Sequence, residues 1–260
     1  MSLAIPRMHI ERGRMDIATY IAASRLTAQE RALGVVADNI ANASTPGYKA
    51  QRVLFSDYIS RQTRAHAPPG GAEIAYTQDR ATWRDRRDGA LAHTGNPFDL
   101  AIAGDGYFTV STIAGPRLTR AGRFAPRTDG TVVDAAGDAL LDNAGRPLQL
   151  SPADTTVTVA GDGTVSSENG PIGRIGVVRP LDDMQLRAEG GERLRADTPT
   201  APIASPHLVQ GATEDSNVQP VIEITHLIDD QRGFQFVAQF VQAEGERAQS
   251  AIDKILARRT

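Results

Sequence analysis

Residues 224–255 read ITHLIDDQRGFQFVAQFVQAEGERAQSAIDKI, and the spacing of apolar residues in that run decides the fold. Leu227, Phe234, Val241, Ala248 and Ile255 stand seven residues apart, and Ile224, Gln231, Ala238, Gly245 and Ile252 form a second series offset by three. Together they make an a/d heptad seam over about five heptads, the pattern of a helix that buries one stripe against another helix. Ala238, Gly245 and Ala248 permit close approach, although a glycine costs an isolated helix about 1 kcal/mol relative to alanine. That cost predicts packing that offsets it. A long helix docked on the core of its own domain satisfies the same periodicity.

A shorter version of this pattern opens the chain. Between Asp16 and Asn42 there is no proline, and Thr19, Ala22, Leu26, Leu33, Val36 and Ile40 recur at helical spacing, with Gln29 as a polar exception. The run Asn42-Ala43-Ser44-Thr45-Pro46-Gly47 then ends the helix and forces a turn. Between Gln62 and Gln219 the chain changes in kind. Short β-prone runs such as Leu100–Ile102, Tyr107–Val110, Thr131–Val133, Ala139–Leu141, Leu148–Leu150, Thr155–Val159 and Ile175–Val178 alternate with Gly/Asp turns such as Asp129-Gly130 and Gly161-Asp162-Gly163. Strands at this spacing indicate a sandwich, barrel or meander. The expected class is α+β, with N- and C-terminal helices pairing as a coiled-coil-like segment around a central all-β domain. The expected boundaries are an N-terminal extension, disordered or absent from the native chain (1–14); a helix with its linker (15–66); the β domain (67–209); and the C-terminal helix (210–260).

Composition removes several classes of function. The 260 residues carry a formal charge of -3 and no cysteine, which excludes disulfides, thiolate zinc sites and cysteine nucleophiles and gives no basic surplus for nucleic acid. No apolar run near the amino terminus has the roughly 7 to 15 residues of a cleaved signal, and none approaches the roughly 20 of a membrane span. His9, His66, His93, His207 and His226 are scattered without ligand spacing. The Asp-Gly pairs read as hairpin turns rather than calcium loops or catalytic carboxylates. Gly104-Asp105-Gly106 lacks the third glycine of a dinucleotide fingerprint. The arginines around Trp83 (Arg80, Arg84, Arg86, Arg87) are diluted by Asp79, Asp85 and Asp88 and read as a solvated face. No catalytic, cofactor or metal site is expected.

Four separated stretches carry a resemblance. Ala37-Asp38-Asn39-Ile40-Ala41-Asn42-Ala43-Ser44-Thr45-Pro46-Gly47-Tyr48-Lys49, the run Thr94 to Phe108 (TGNPFDLAIAGDGYF), Leu118-Thr119-Arg120-Ala121-Gly122-Arg123-Phe124, and Glu214-Asp215-Ser216-Asn217-Val218 stand in the order found in the flagellar basal-body rod and hook proteins. Within that family the chain resembles the proximal rod type, with the distal rod type as the alternative and, outside the family, a secreted β-rich binding module or enzyme. Asp38 and Thr213 depart from the residues usual there, asparagine and leucine.

The resemblance implies a structural subunit, not an enzyme. It implies terminal helices that pair and pack against other copies and other rod proteins, export through the flagellar type III apparatus without signal cleavage, and a place in the periplasmic rod that transmits torque for motility. Leu26, Leu33, Val36 and Ile40 would form one helix-packing seam, and Leu227, Phe234, Val241 and Ile255 the other. Asn39, Asn42, Thr45, Gly47, Asn96, Gly104, Gly106, Ser216, Asn217 and Val218 are the motif positions. No nucleic-acid partner and no transmembrane segment are implied.

Overall fold

The computed structural model describes residues 7–62, 72–190 and 192–257, with side chains at 21–54, 82–182, 184–190, 192–254 and 256–257. Two long helices bracket the β structure: α1 spans Arg7–Ala41 and α2 spans Pro220–Ala257. α1 begins upstream of Met15, and the side chain of Ile255 lies outside those described. Two compact units divide the chain. One holds the helical segments up to Asp38 and from Val221 together with residues 53–82; the other, the β unit, holds residues 39–52 and 83–220.

In the helical unit α1 and α2 are in contact. Gly233 of α2 faces Gln29 of α1, whose amide nitrogen would lie 2.7 Å from a Cβ placed on the glycine. On α1, Ala22, Ala28, Ala32 and Val36 are buried, while Leu26, Leu33 and Ile40 are half-buried. On α2 the covered stripe is Leu227, Phe234, Val241 and Ala248 together with Glu223, Asp230, Val237 and Glu244. Within one copy, Ile224, Gln231, Gly245 and Ile252 of the second heptad series are exposed and Ala238 is half-buried, while the column on the other side of Leu227 is covered. The sequence pattern misleads here because the covered column contains three acids. Burial raises the pKa of Asp230, as expected of a carboxyl drawn out of water.

Strands Gln51–Gln62 and Ala72–Arg84 form a two-stranded sheet that the turn-signal reading did not identify. Arg31 Nη2 donates to Thr82 Oγ1 at 3.1 Å, tying α1 to the end of that sheet.

The β unit is built on an antiparallel sheet. Its strands run in the order Leu186–Ala188, Arg193–Ala196, Gly115–Thr119, Tyr107–Thr112, Ala139–Leu140, Val132–Asp134 and Phe124–Pro126; Val177–Pro180 pairs with both Tyr107–Thr112 and Thr200–Pro202. A three-stranded meander, Val157–Val159, Thr164–Ser167 and Gly170–Arg174, completes the core. The expected strand Leu148–Leu150 forms one isolated bridge, Thr131 to Gln149, with the Leu148 and Leu150 N–H groups donating to the carbonyls of Leu140 and Gly130 at 2.8 Å. Phe108 and Phe124 meet edge to face with ring centroids 5.4 Å apart, surrounded by Ile102, Val110, Leu140 and Ile175. Each such side chain contributes about 1.5 to 3 kcal/mol on burial.

One turn of the meander gives a pH-dependent contact. The Glu168 carboxylate accepts from the hydroxyl of Thr155 at 2.7 Å and from the backbone N–H groups of Thr155 at 2.7 Å and Thr156 at 3.0 Å, which lowers its pKa from 4.5 to about 2. The folded pKa lies below the unfolded one, so the contribution is complete above the unfolded value and is lost as pH falls towards about 2. The difference in melting temperature between the native chain and Glu168→Gln is therefore expected to be largest near neutral pH and to shrink between about pH 4.5 and pH 2. An unchanged difference across that window contradicts the assignment.

Candidate functional site

Two short pairings lay the end of the β unit beside its beginning. Leu208–Gln210 pairs with Leu100–Ile102, and Ala212–Glu214 pairs with Leu91–His93, placing Glu214 opposite Leu91. Glu214 is 1% exposed, and a carboxylate buried alone would be strongly destabilising. It is not alone. Its Oε1 accepts from Lys49 Nζ at 2.6 Å and from the Gly89 N–H at 2.9 Å, and its Oε2 accepts from Arg120 Nη1 at 2.9 Å.

Both cations are themselves buried and also donate to backbone carbonyls. Lys49 donates to the Arg87 carbonyl at 2.9 Å, and Arg120 donates to the carbonyls of Ile102 and Gly104. The Arg120 guanidinium also sits 5.5 Å from the centroid of the Tyr107 ring, a cation–π contact. Asp88, half-exposed, stands 3.5 Å from Lys49 and 3.7 Å from Arg120 and accepts the Gly104 N–H at 3.1 Å. Two cations and two anions thus form a neutral, hydrogen-bonded clasp.

Backbone contacts draw the segment after α1 into the same place. The Gly47 N–H donates to the Glu214 carbonyl at 2.7 Å. Gly47 has φ of 71°, and a Cβ there would meet the Arg120 carbonyl carbon and oxygen at 2.4 Å, so both the conformation and the approach require glycine. Asn217 bridges three chain segments: its Oδ1 accepts from the Ala50 N–H at 2.7 Å, and its Nδ2 donates to the carbonyls of Asp85 at 3.0 Å and Arg87 at 2.8 Å. Asn39 pairs with the backbone of Gln51 in both directions, at 2.8 and 2.9 Å, as a neighbouring strand would. Asn42 accepts from the Thr45 hydroxyl at 3.3 Å in the turn that ends α1. Ser216 Oγ accepts the Val218 N–H at 3.2 Å just ahead of α2.

The expected motif residues thus divide. Asn39, Gly47, Gly104 and Asn217 belong to the clasp and its immediate support. Asn42, Thr45, Ser216 and the buried Val218 shape the adjoining turns. Asn96 serves a separate local cap, donating to the buried Asp99 at 3.0 Å. Gly106, at φ of 127°, lies where a Cβ would strike Val177 and Ile203 in the core. Leu26, Leu33, Val36, Ile40, Leu227, Phe234 and Val241 lie on the helices, on their covered or partly covered sides.

Lys49, Arg120 and Glu214 stand inside the sequence motifs but were not singled out as site residues, because Lys49 and Glu214 are 165 positions apart and nothing local marks them as partners. Within the arginine group around Trp83, Arg87 forks onto Asp85, holding its carboxyl below the usual range, and Arg86 pairs with Asp105 at 2.9 Å. Arg86 and Arg87 are thus paired with carboxylates, while the side chains of Asp79 and Arg80 lie outside those described. Among the described residues, no cluster of His, Asp and Glu is arranged to hold a metal ion.

The segments that meet at the clasp also mark the chain's relationships. A family profile described as flagella basal body rod protein matches residues 20–49, one described as flagellar hook protein FlgE/F/G D1 domain matches 101–167, and one described as flagellar basal body rod FlgEFG protein C-terminal matches 209–254. The chain is 38% identical to the flagellar basal-body rod protein FlgF of Caulobacter vibrioides, covering 93% of this chain and 98% of that protein. It is 33% identical to the protein of the same name from Mesorhizobium japonicum, over 92% and 97% of the two chains. It is 31% identical to the flagellar basal-body rod protein FlgG of Agrobacterium fabrum, over 89% and 96%. Lys49, Arg120 and Glu214 each fall in a different one of the three matched segments.

Proposed function

The chain belongs to the flagellar basal-body rod protein family, and from that membership we propose that it is a proximal-type rod subunit that polymerises through α1 and α2. It is a structural, non-enzymatic component of the rod that assembles with other rod proteins. It leaves the cytoplasm through the flagellar type III apparatus without cleavage of a signal and takes its place in the periplasmic part of the rod. There it passes torque from the motor towards the hook.

The observation that carries this reading is the bare surface of α2. Val221 and Phe236 are 78% and 74% exposed, with Ile222 and Phe240 also open to solvent. Large apolar side chains at this density on one element mark a surface made for protein contact. Each becomes worth about 1.5 to 3 kcal/mol once a neighbour covers it. The helices then reach their full order on docking, while the clasp keeps the β unit closed around the segments that lead to them. The proximal assignment is supported by the 38% identity to a FlgF protein beside 31% to a FlgG protein.

Electron microscopy of basal bodies from a strain lacking this gene tests the reading. Rods cut short within the proximal segment, lacking both the distal segment and the hook and regaining full length on complementation, are expected. Loss of the distal segment alone would move the assignment to the distal type, and normal rods with normal swimming would overturn it.

A further inference from the structure

The clasp borders a cavity of about 220 Å³ whose wall includes Lys49, Arg86, Asp105, Tyr107, Arg120 and Arg179. All of these residues belong to the β unit. Four cations and one carboxylate line the space, and the acids of the clasp, Glu214 and Asp88, are not among the described residues of its wall. Three of the cations have counter-charges: Lys49 and Arg120 are held by Glu214, and Arg86 pairs with Asp105 at 2.9 Å. Arg179 differs. Its exposed side chain meets no hydrogen-bond or ion-pair partner among the described residues.

Arg120 adds a second unmet demand. Its Nη1 donates to Glu214 and to the Ile102 carbonyl, and its Nη2 to the Gly104 carbonyl, yet its Nε is buried without an acceptor. A buried donor on a cation is rarely left in that condition by the protein's own atoms, because the cost of desolvating it is not offset. A neutral acceptor would answer this feature and leave the charge of Arg179 unbalanced. An oxyanion answers both, since its oxygens accept from several donors at once and its charge matches a guanidinium fork.

Size narrows the class. The cavity lies below the roughly 300 to 1,000 Å³ of sites for drug-sized molecules, so it takes a single group of the size of a phosphate or carboxylate. Arg179 and Asp105 also line a neighbouring cavity of about 380 Å³ with Pro202, Ile203 and Pro206 in its wall, which gives room for the apolar body of a larger molecule carrying such a group.

We propose that the cavity beside the clasp is an oxyanion site, in which Arg179 closes on the anion and the Arg120 guanidinium supplies fixed positive charge behind it. The assignment uses the β unit alone and is independent of how the helices assemble. Its ligand is either a free ion such as phosphate or the acidic group of a molecule whose body rests in the neighbouring cavity, and the two sources are separable.

Calorimetric titration of the full chain at constant ionic strength tests the site, with inorganic phosphate and phenyl phosphate as probes. The native chain is expected to bind inorganic phosphate saturably, one ion per chain, in the millimolar range or tighter. Arg179→Gln removes charge from a side chain without partners, so it should leave the melting temperature in phosphate-free buffer unchanged while weakening phosphate binding at least about tenfold. Arg146→Gln removes the same charge from an exposed arginine that pairs with Asp142 and lines neither cavity, and it should bind as the native chain does. Tighter binding of phenyl phosphate than of inorganic phosphate assigns the site to a larger molecule, and equal affinity assigns it to a free ion. A native chain that binds neither probe saturably overturns the proposal, as does an Arg179→Gln variant that binds like the native chain or an Arg146→Gln variant that loses affinity equally.

Discussion

Replacing Glu214 by glutamine is expected to lower the stability of the β unit by about 3 to 5 kcal/mol, the cost of removing one member of a buried ion pair and leaving its partners charged. Lys49 and Arg120 both point at this carboxylate, at 2.6 and 2.9 Å. Asp88 cannot take its place, since it is half-exposed and stands 3.5 and 3.7 Å from the two cations. A glutamine side chain offers one acceptor where two cations and the Gly89 N–H need partners, and its amide nitrogen turns a donor towards one of them. Urea titration of the full chain, followed by the fluorescence of its one tryptophan, Trp83, measures the loss. A double-mutant cycle adds the specific claim: Lys49→Met should cost much less in the Glu214→Gln background than in the native one. A Glu214→Gln loss below about 1 kcal/mol, or additive effects of the pair, would show that the clasp does not hold the unit together.

The second large effect is expected at Gly47, where alanine should cost about 2 to 5 kcal/mol. Left-handed backbone at φ of 71° penalises an L side chain by about 1 to 2 kcal/mol. The added Cβ would lie 2.4 Å from the Arg120 carbonyl carbon and oxygen, and forcing extra volume into packed surroundings costs about 1 to 3 kcal/mol more. The obstruction is backbone rather than a side chain that can swing away. Gly95 makes a useful comparison: its φ is 76°, but nothing stands within 4 Å of its Cβ position. Gly95→Ala should therefore lose the conformational part alone. Thermal unfolding of the two variants side by side separates the terms, and equal losses would remove the steric part of the argument.

Much of this architecture was legible because it rests on local signals. The first heptad series of α2 was visible as Leu227, Phe234, Val241 and Ala248, and the end of α1 as Asn42 to Gly47. The strand Leu100–Ile102 was found with its observed limits, and the runs at Tyr107, Thr131 and Ala139 within a residue or two. Two kinds of feature were not legible. Polarity hid one: Glu223, Asp230 and Glu244 occupy a covered column, so the eye passes to the apolar Ile224 and Ile252, which are exposed. Distance hid the other: Lys49, Arg120 and Glu214 look like ordinary surface charges until pairing of Ala212–Glu214 with Leu91–His93 brings them together. The short strands from Leu186 onward were missed for the same reason, since three- and four-residue segments are defined by their partners rather than by their own composition.

Amide hydrogen exchange on the free full-length chain tests most directly whether the clasp belongs to a stable β unit while the helices await assembly. Amides of the clasp and core, such as Gly47, Gly89 and Val110, should exchange only through opening of the whole β unit. Amides along residues 224–256 of α2, covered on one side only, should exchange orders of magnitude faster in the monomer and become protected in assembled rods. If α2 in the free chain is as protected as Val110, the helices are complete without partners and the assembly account is wrong.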